Sequence, residues 1–230
     1  MEAVILAGGL GTRLRAAVPN LPKPMAPVAG RPFLEIMLIV LAQKGFKRVV
    51  LSLGHMAEKV VSYFGNSFAD MSLVYEIETS PLGTGGALRR ALTRCESDHL
   101  FVFNGDTFLD LEVSKLEAHW KANHLPIIVG KSLADTTRYG RLETVAERVV
   151  GFTDRNVSGP GLVNAGCYVT STHLLDGFDL NRPFSLETDF LIPAVRSQYF
   201  SLFITNGLFI DIGVPEGYCR AQTELNEIFS

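Results

Sequence analysis

Ala3-Val4-Ile5-Leu6-Ala7-Gly8-Gly9-Leu10-Gly11-Thr12-Arg13-Leu14 opens the chain with an apolar run that breaks into a glycine-rich turn. The run Ala3 to Leu6 reads as a short buried strand. Glycines directly after a strand let backbone N–H groups approach phosphate oxygens closely. Two common phosphate-binding patterns do not fit. A P-loop needs G-K-[ST] after its second glycine, and a dinucleotide fingerprint needs glycine where Leu14 stands. A tight turn without a ligand is the competing reading. Arg13, placed directly after the loop, favours a polyphosphate.

Outward from this stretch, strands and helices alternate. Pro32 to Lys44 reads as a helix, with Phe33, Ile36, Met37, Val40 and Leu41 on one stripe and Gly45 as its stop. Arg48 to Leu53 reads as strand, His55 to Phe64 as helix ended by Gly65, Leu73 to Ile77 as strand and Thr84 to Arg94 as helix. Leu100 to Phe103 is a further strand, opening into Asn104-Gly105-Asp106. Such alternation implies an α/β class: βαβ units on a mixed, mostly parallel sheet with helices on both faces, an α/β/α sandwich. Ligands of such sheets bind beyond the carboxyl ends of the strands, where the glycine turn and Asp106 both fall. After Pro126 the pattern loosens, and shorter strands with more turns are expected. No linker or repeat interrupts the chain, so 1–230 reads as a single domain with halves meeting near 125/126.

Bulk properties narrow the function. The 230 residues are 47% hydrophobic and 20% charged, with a formal charge of −3, so a general electrostatic grip on nucleic acid is excluded. Cys95, Cys167 and Cys219 lie far apart with no C-x-x-C pair, which points to a reducing compartment without a disulfide framework. Met1-Glu2 carries no positive n-region, and Phe33 to Ala42, interrupted by Glu35, is too short to span a bilayer. A soluble cytoplasmic protein, not associated with membranes, is expected; a homo-oligomer is left open.

Leu21-Pro22-Lys23-Pro24-Met25 supplies the second chemical motif. Prolines on both sides restrict the backbone around Lys23, and a lysine held in a stiff loop suits phosphate neutralisation. Taken together, the glycine turn and Pro-Lys-Pro resemble the signature of the sugar nucleotidyltransferase family. Ser80-Pro81-Leu82-Gly83-Thr84-Gly85-Gly86 looks like its base-contacting loop, Asn104-Gly105-Asp106 like its first metal-binding segment, and Phe209-Ile210-Asp211-Ile212-Gly213 like the second. Within that family the resemblance is closest to the D-glycero-D-manno-heptose 1-phosphate guanylyltransferases, through the Pro81 to Ala87 run, Gly161 to Gly166 and Ser185 to Phe190. The chain stops soon after its last expected helix, so the C-terminal β-helix of larger relatives is expected to be missing.

The resemblance implies a Rossmann-like nucleotidyltransferase fold, with residues to about 125 binding nucleotide and residues from about 126 binding a sugar 1-phosphate. It implies Mg²⁺ held by Asp106 and Asp211, with Arg13, Lys23 and Asp106 catalytic. Nucleotide contacts fall on Leu6, Ala7, Gly8, Gly9, Gly11, Thr12, Arg13, Lys23, Glu78, Pro81, Gly83, Thr84, Gly105 and Asp106. Sugar-phosphate contacts fall on Gly140, Arg155, Asn164 and Glu187. At 154–155 the family often carries Glu-Lys, whereas Asp154-Arg155 stands here; arginine still binds phosphate, in bidentate fashion.

The implied reaction is an in-line attack of a sugar phosphate oxygen on the α-phosphorus of a nucleoside triphosphate. Two anions must meet, so charge neutralisation and alignment are the main problems. An ionised Glu78 accepts hydrogen bonds only, which matches the adjacent N1–H and N2–H donors of guanine; a surface glutamate at a strand end is the alternative. Glu187 and Asp189 read equally as sugar contacts or as helix-start acids matching the dipole. The five histidines and Trp120 read as surface or packing residues, and Arg89-Arg90 as a solvated face. The rival substrates are UTP or dTTP with a hexose or amino-sugar 1-phosphate. A catalytically silent sensor is disfavoured because Arg13, Lys23, Asp106 and Asp211 are all present, and an NAD-binding oxidoreductase by Leu14.

Overall fold

The computed structural model describes residues 1–9, 20–153 and 156–229. Its strands, in chain order, are β1 (Glu2–Leu6), β2 (Pro27–Val28), β3 (Arg31–Pro32), β4 (Arg48–Leu53), β5 (Ser67–Phe68), β6 (Met71–Ile77), β7 (His99–Asn104), β8 (Thr107–Leu109), β9 (Ile127–Leu133), β10 (Leu142–Val145), β11 (Arg148–Phe152), β12 (Gly161–Ser171), β13 (Phe200–Thr205) and β14 (Phe209–Asp211). The α-helices are α1 (Phe33–Gln43), α2 (Ala57–Phe64), α3 (Gly83–Leu92), α4 (Val113–Asn123), α5 (Ile192–Ser197) and α6 (Pro215–Phe229). A π-helical turn, Leu186–Leu191, runs directly into α5.

Among the described residues ten strands form one sheet, in the order β10-β11-β13-β9-β12-β7-β1-β4-β6-β5. Strands β7, β1, β4 and β6 are mutually parallel, and β13 runs parallel to β9. The strands β5, β12 and β11 run against the rest, so seven of the ten point one way. The sheet is thus mixed and mostly parallel, as the alternation implies. It passes without a break from the first half of the chain into the second, through the antiparallel pairing of β12 with β7.

Alternation along the central strands explains why both faces are covered. In β1, Ala3 and Ile5 pack with α1, α2 and α4 on one side, while Val4 packs with α3 and α5 on the other. Strand β7 repeats this, with Phe101 and Phe103 on the first side and Leu100 and Val102 on the second. Strands buried on both faces read as continuous apolar runs, the pattern seen in both. No described helix is long and apolar enough to cross a membrane.

Two expectations are corrected. The second half holds the longest described strand, the 11-residue β12, rather than only short ones. It continues because its middle is sandwiched between β7 and β9 and buried on both faces. Nor are Arg89 and Arg90 a solvated face. Arg90 pairs with buried Glu76, and Arg89 donates to the Phe178 carbonyl at 3.0 Å and pairs with Asp176 at 3.2 Å. The buried Glu76 carboxylate also takes Arg94 at 2.8 Å, so α3 is tied to β6 through charge.

At the carboxyl edge the ends of β1 and β7 touch. The Gly105 N–H donates to the Leu6 carbonyl at 2.9 Å, and a Cβ at Gly105 would lie 2.7 Å from that oxygen and 2.9 Å from Ala7 Cα. A Cβ at Gly9 would meet nothing within 4 Å. Gly105→Ala is therefore expected to cost about 1–3 kcal/mol in urea unfolding by overpacking, and Gly9→Ala less than 1 kcal/mol. Equal losses for the two variants would contradict the close approach.

Candidate active site

Two clefts open along the carboxyl edge and meet at Thr84. The first, of about 420 Å³, is walled by Leu6, Gly8 and Gly9 after β1, Gly54 and His55 after β4, and Glu78 to Pro81 after β6, with Gly83, Thr84 and Ala87 at the start of α3. Backbone forms much of this wall. A Cβ at Gly54 would lie 2.7 Å from the Gly8 carbonyl oxygen, so the two loops come this close because position 54 is glycine. Glu78 is half-buried here. It accepts the Leu82 N–H at 3.2 Å, and burial lifts its carboxyl above the usual glutamate range, opposed by that hydrogen bond and by Arg90. The acceptor is thus poised in the cleft rather than dispersed on the surface. His55, which the sequence places with the surface or core histidines, stands on the cleft wall.

The second cleft, of about 320 Å³, is lined by Asp106, Gly140, Asn164, Glu187 and Asp211, and by Asn104, Tyr139, Gly166, Tyr168 and Ser185. Its two aspartates are brought together by a short ladder. Strand β14 pairs antiparallel with β8, placing Asp211 opposite Thr107, and the Ile212 N–H closes the ladder on the Asp106 carbonyl at 2.9 Å. Lys23 reaches the same point from a 3₁₀ turn, Lys23–Met25, between Pro22 and Ala26. Its Nζ lies 2.5 Å from Asp106 Oδ2.

Gly213 marks the focus. A Cβ there would lie 2.7 Å from Asp211 Oδ1, 2.7 Å from Lys23 Nζ and 3.4 Å from Asp106 Oδ2. One methyl-sized volume therefore touches both carboxylates and the ammonium. The Gly213 N–H donates to Asp211 Oδ1 at 2.7 Å, which fixes that oxygen. Among the described residues no group of three or more His, Cys, Asp or Glu could hold a metal. Two carboxylates with room for water and phosphate suit a hard divalent cation that keeps part of its hydration.

Farther into this cleft the β12–β9 register slips between Asn164 and Tyr168. Asn164 Nδ2 donates to the Tyr168 hydroxyl at 2.7 Å, and Asn164 Oδ1 accepts the Gly166 N–H at 3.1 Å, so the amide is oriented from both ends. Burial raises the Tyr168 phenol and pushes Tyr139 up to about 12, so both remain protonated donors. Gly140 sits against the residue that follows β11: a Cβ there would lie 2.8 Å from the Thr153 carbonyl. The two acids of the π turn separate in role. Asp189 Oδ2 accepts the Ser185 N–H at 2.7 Å as a local cap, while Glu187 lines the cleft.

The structure thus brings Leu6, Gly8, Gly9, Glu78, Pro81, Gly83 and Thr84 to one cleft, and Asp106, Gly140, Asn164, Glu187 and Asp211 to the other. Ala7 and Gly105 form the contact between the ends of β1 and β7, and Lys23 meets Asp106. Gly11, Thr12, Arg13 and Arg155 lie outside the described residues. Sequence reasoning named Asn104 only as part of the Asn104–Asp106 segment and passed over Tyr139 and Tyr168. Tyr168 sits on an apolar strand and reads as core there; only the register slip turns it toward Asn164.

The nucleotidyl transferase family model matches residues 2–228. The chain belongs to that family. It is 38% identical over 226 residues to the D-glycero-alpha-D-manno-heptose 1-phosphate guanylyltransferase of Aneurinibacillus thermoaerophilus, covering 98% of each chain. It is also similar to the structure of HddC from Yersinia pseudotuberculosis complexed with GMP-PN, at TM-score 0.87 and 34% identity, covering 100% of this chain and 99% of that one. The mannose-1-phosphate guanylyltransferase of Mycobacterium tuberculosis is 31% identical, but the match spans only 64% of its length against 98% of this chain.

For this nucleotidyl transferase, filling the focus should abolish chemistry without unfolding. Gly213→Ala is expected to lower kcat by about 100-fold or more, corresponding to about 2.7 kcal/mol of barrier, with the thermal midpoint nearly unchanged. Near-normal kcat in this variant would mean that reacting groups do not assemble beside Gly213.

Proposed function

We propose that this chain transfers GMP from GTP to D-glycero-α-D-manno-heptose 1-phosphate, giving GDP-heptose and pyrophosphate. The observation that carries the reading is the convergence of Lys23, Asp106 and Asp211 at the second cleft, which meets the first at Thr84. The heptose 1-phosphate guanylyltransferase matched over 98% of both chains supports the choice of substrates. The cleft of Glu78 and Pro81–Thr84 takes the nucleotide; the cleft of Gly140, Asn164 and Glu187 takes the sugar phosphate. The two halves of the chain then act as one domain, nucleotide to about 125 and sugar phosphate beyond.

In this reaction a phosphate oxygen of the sugar attacks the α-phosphorus, the α–β bond breaks, and pyrophosphate leaves with the electron pair. The nucleophile is already an anion, so no covalent enzyme intermediate and no general base are needed. Asp106 and Asp211 fit Mg²⁺, whose charge would offset the phosphates that must approach one another. Lys23, kept in place by Pro22, Pro24 and the Asp106 carboxylate, neutralises the α-phosphate as charge builds. Arg13 holds the β- and γ-phosphates, a role that rests on the family motif, and Arg155, standing where the family often has lysine, takes the sugar phosphate through its guanidinium. Asn164, oriented by Tyr168 and Gly166, presents its amide to a sugar hydroxyl.

Four nucleoside triphosphates against heptose, mannose, glucose and amino-sugar 1-phosphates, with pyrophosphate as readout, test the assignment. GTP with the heptose is expected to lead. Preference for UTP or dTTP with a hexose would replace the substrates, and silence with every pair would remove the function.

Base choice carries its own pH signature. Burial holds the Glu78 carboxyl above the usual range, so in the free enzyme it takes up a proton while exposed glutamates are still ionised. The protonated form loses acceptor capacity toward guanine N1–H and N2–H. KM for GTP is therefore expected to climb as pH falls toward the carboxylate range, sooner than an exposed glutamate would cause, and Glu78→Gln should flatten that slope while raising KM at neutral pH. A Gln variant with the wild-type pH profile would clear Glu78 of the role.

A further inference from the structure

A set of contacts joins the two clefts from behind. The Phe184 N–H donates to the Leu82 carbonyl at 2.9 Å, and the Gly85 and Gly86 N–H groups donate to the Phe184 carbonyl at 3.0 and 3.4 Å. The Leu186 N–H donates to Thr84 Oγ1 at 2.9 Å. The fit leaves no room for a side chain: a Cβ at Gly85 would lie 2.2 Å from the Phe184 ring, and one at Gly86 would lie 2.8 Å from the Arg182 carbonyl. The Phe184 ring is itself buried and stacked on Phe178 at 4.2 Å between centroids.

Each end of this clasp leads into a different cleft. The Leu82 N–H donates to Glu78 Oε2 at 3.2 Å on the nucleotide side. On the other side, Ser185 and Glu187, which flank Leu186, line the sugar-phosphate cleft, and Thr84 faces both. A base that draws the Glu78 carboxylate toward itself competes with the Leu82 N–H. The next peptide group carries the Leu82 carbonyl, which holds Phe184. A close-packed join of this kind transmits displacement rather than absorbing it.

We propose that this clasp couples the two clefts, with Thr84, Gly85 and Phe184 as positioning residues through which an occupied nucleotide cleft sets the Ser185–Glu187 wall. The inference rests on the assignment of the two clefts made above. Coupling of binding free energies is reciprocal, so the nucleotide must tighten the sugar phosphate by the same factor as the reverse.

Calorimetry on the full chain tests this, with heptose 1-phosphate titrated in the presence and absence of a GTP analogue bridged by methylene between its α- and β-phosphates. The wild type is expected to bind the sugar phosphate about 5-fold or more tightly with the analogue present. Thr84→Val removes the acceptor for the Leu186 N–H and should bring the ratio toward 1, and Thr84→Ser should restore it. A merely structural Thr84 would lower the thermal midpoint in the Val variant and leave the ratio intact, which would overturn the proposal.

Hydrogen exchange on the wild type gives a readout that needs no variant and no sugar. The analogue should slow exchange at Leu186 and Glu187 as well as at residues 82–86. Protection confined to 82–86, or a wild-type ratio of 1, would defeat the coupling alone. A wild type that binds neither ligand would instead defeat the assignment of the clefts.

Discussion

The pairing of β14 with β8 is the constraint on which the proposed reactive centre depends. Asp106 and Asp211 are 105 positions apart in the chain, and carboxylates repel when brought close. Three residue pairs and the Ile212 N–H to Asp106 carbonyl bond hold them on one side of a small ladder. Lys23 then offsets part of the repulsion from a turn whose flanking prolines leave little backbone entropy to lose. Gly213 completes the arrangement by omission, since any side chain there would stand where the charges meet.

The two clefts differ in what builds them. Around the cleft proposed for the nucleotide, backbone does much of the work: Gly8 against Gly54, with the Leu82 N–H on Glu78. The cleft proposed for the sugar phosphate is built from side chains on a disturbed strand, where the slip in β12 aims Asn164 and Tyr168 at each other. Backbone donors and acceptors are the same for any sequence that keeps the turn, whereas the side-chain cleft changes with each residue. Under the proposed assignment, recognition of the sugar is therefore the part of this architecture most readily altered by substitution.

Much of the first half was legible in the sequence because its strands are buried on both faces. Ala3–Leu6 and Leu100–Phe103 must be apolar throughout, and β4 falls on the residues its β-branched run predicts. Helix α2 begins at Ala57 rather than His55 because Met56 takes a left-handed conformation (φ 59°), which no local propensity announces. The direction of β12 was not legible either, since its partners β7 and β9 lie far away in the chain. The tie of Arg90 to Glu76 was hidden for another reason: it joins a helix to a strand, and no periodicity within either element announces it. Gly83 to Gly86 read as a surface for a flat base, yet Gly85 and Gly86 are required by Phe184 and Arg182. Motifs identified which side chains carry charge; long-range packing decided what else the same residues do.

The position of β12 has a consequence for how the chain is made. As the sheet is ordered, β7 has β1 on one flank and waits for β12 on the other, some sixty residues later in synthesis. Until then the nascent protein carries an apolar strand with an unsatisfied rim of amides, the kind of edge that recruits neighbouring chains. Biogenesis, more than the finished enzyme, is thus where this topology is vulnerable, and chaperone demand should fall once Cys167–Ser171 has emerged to seal the seam.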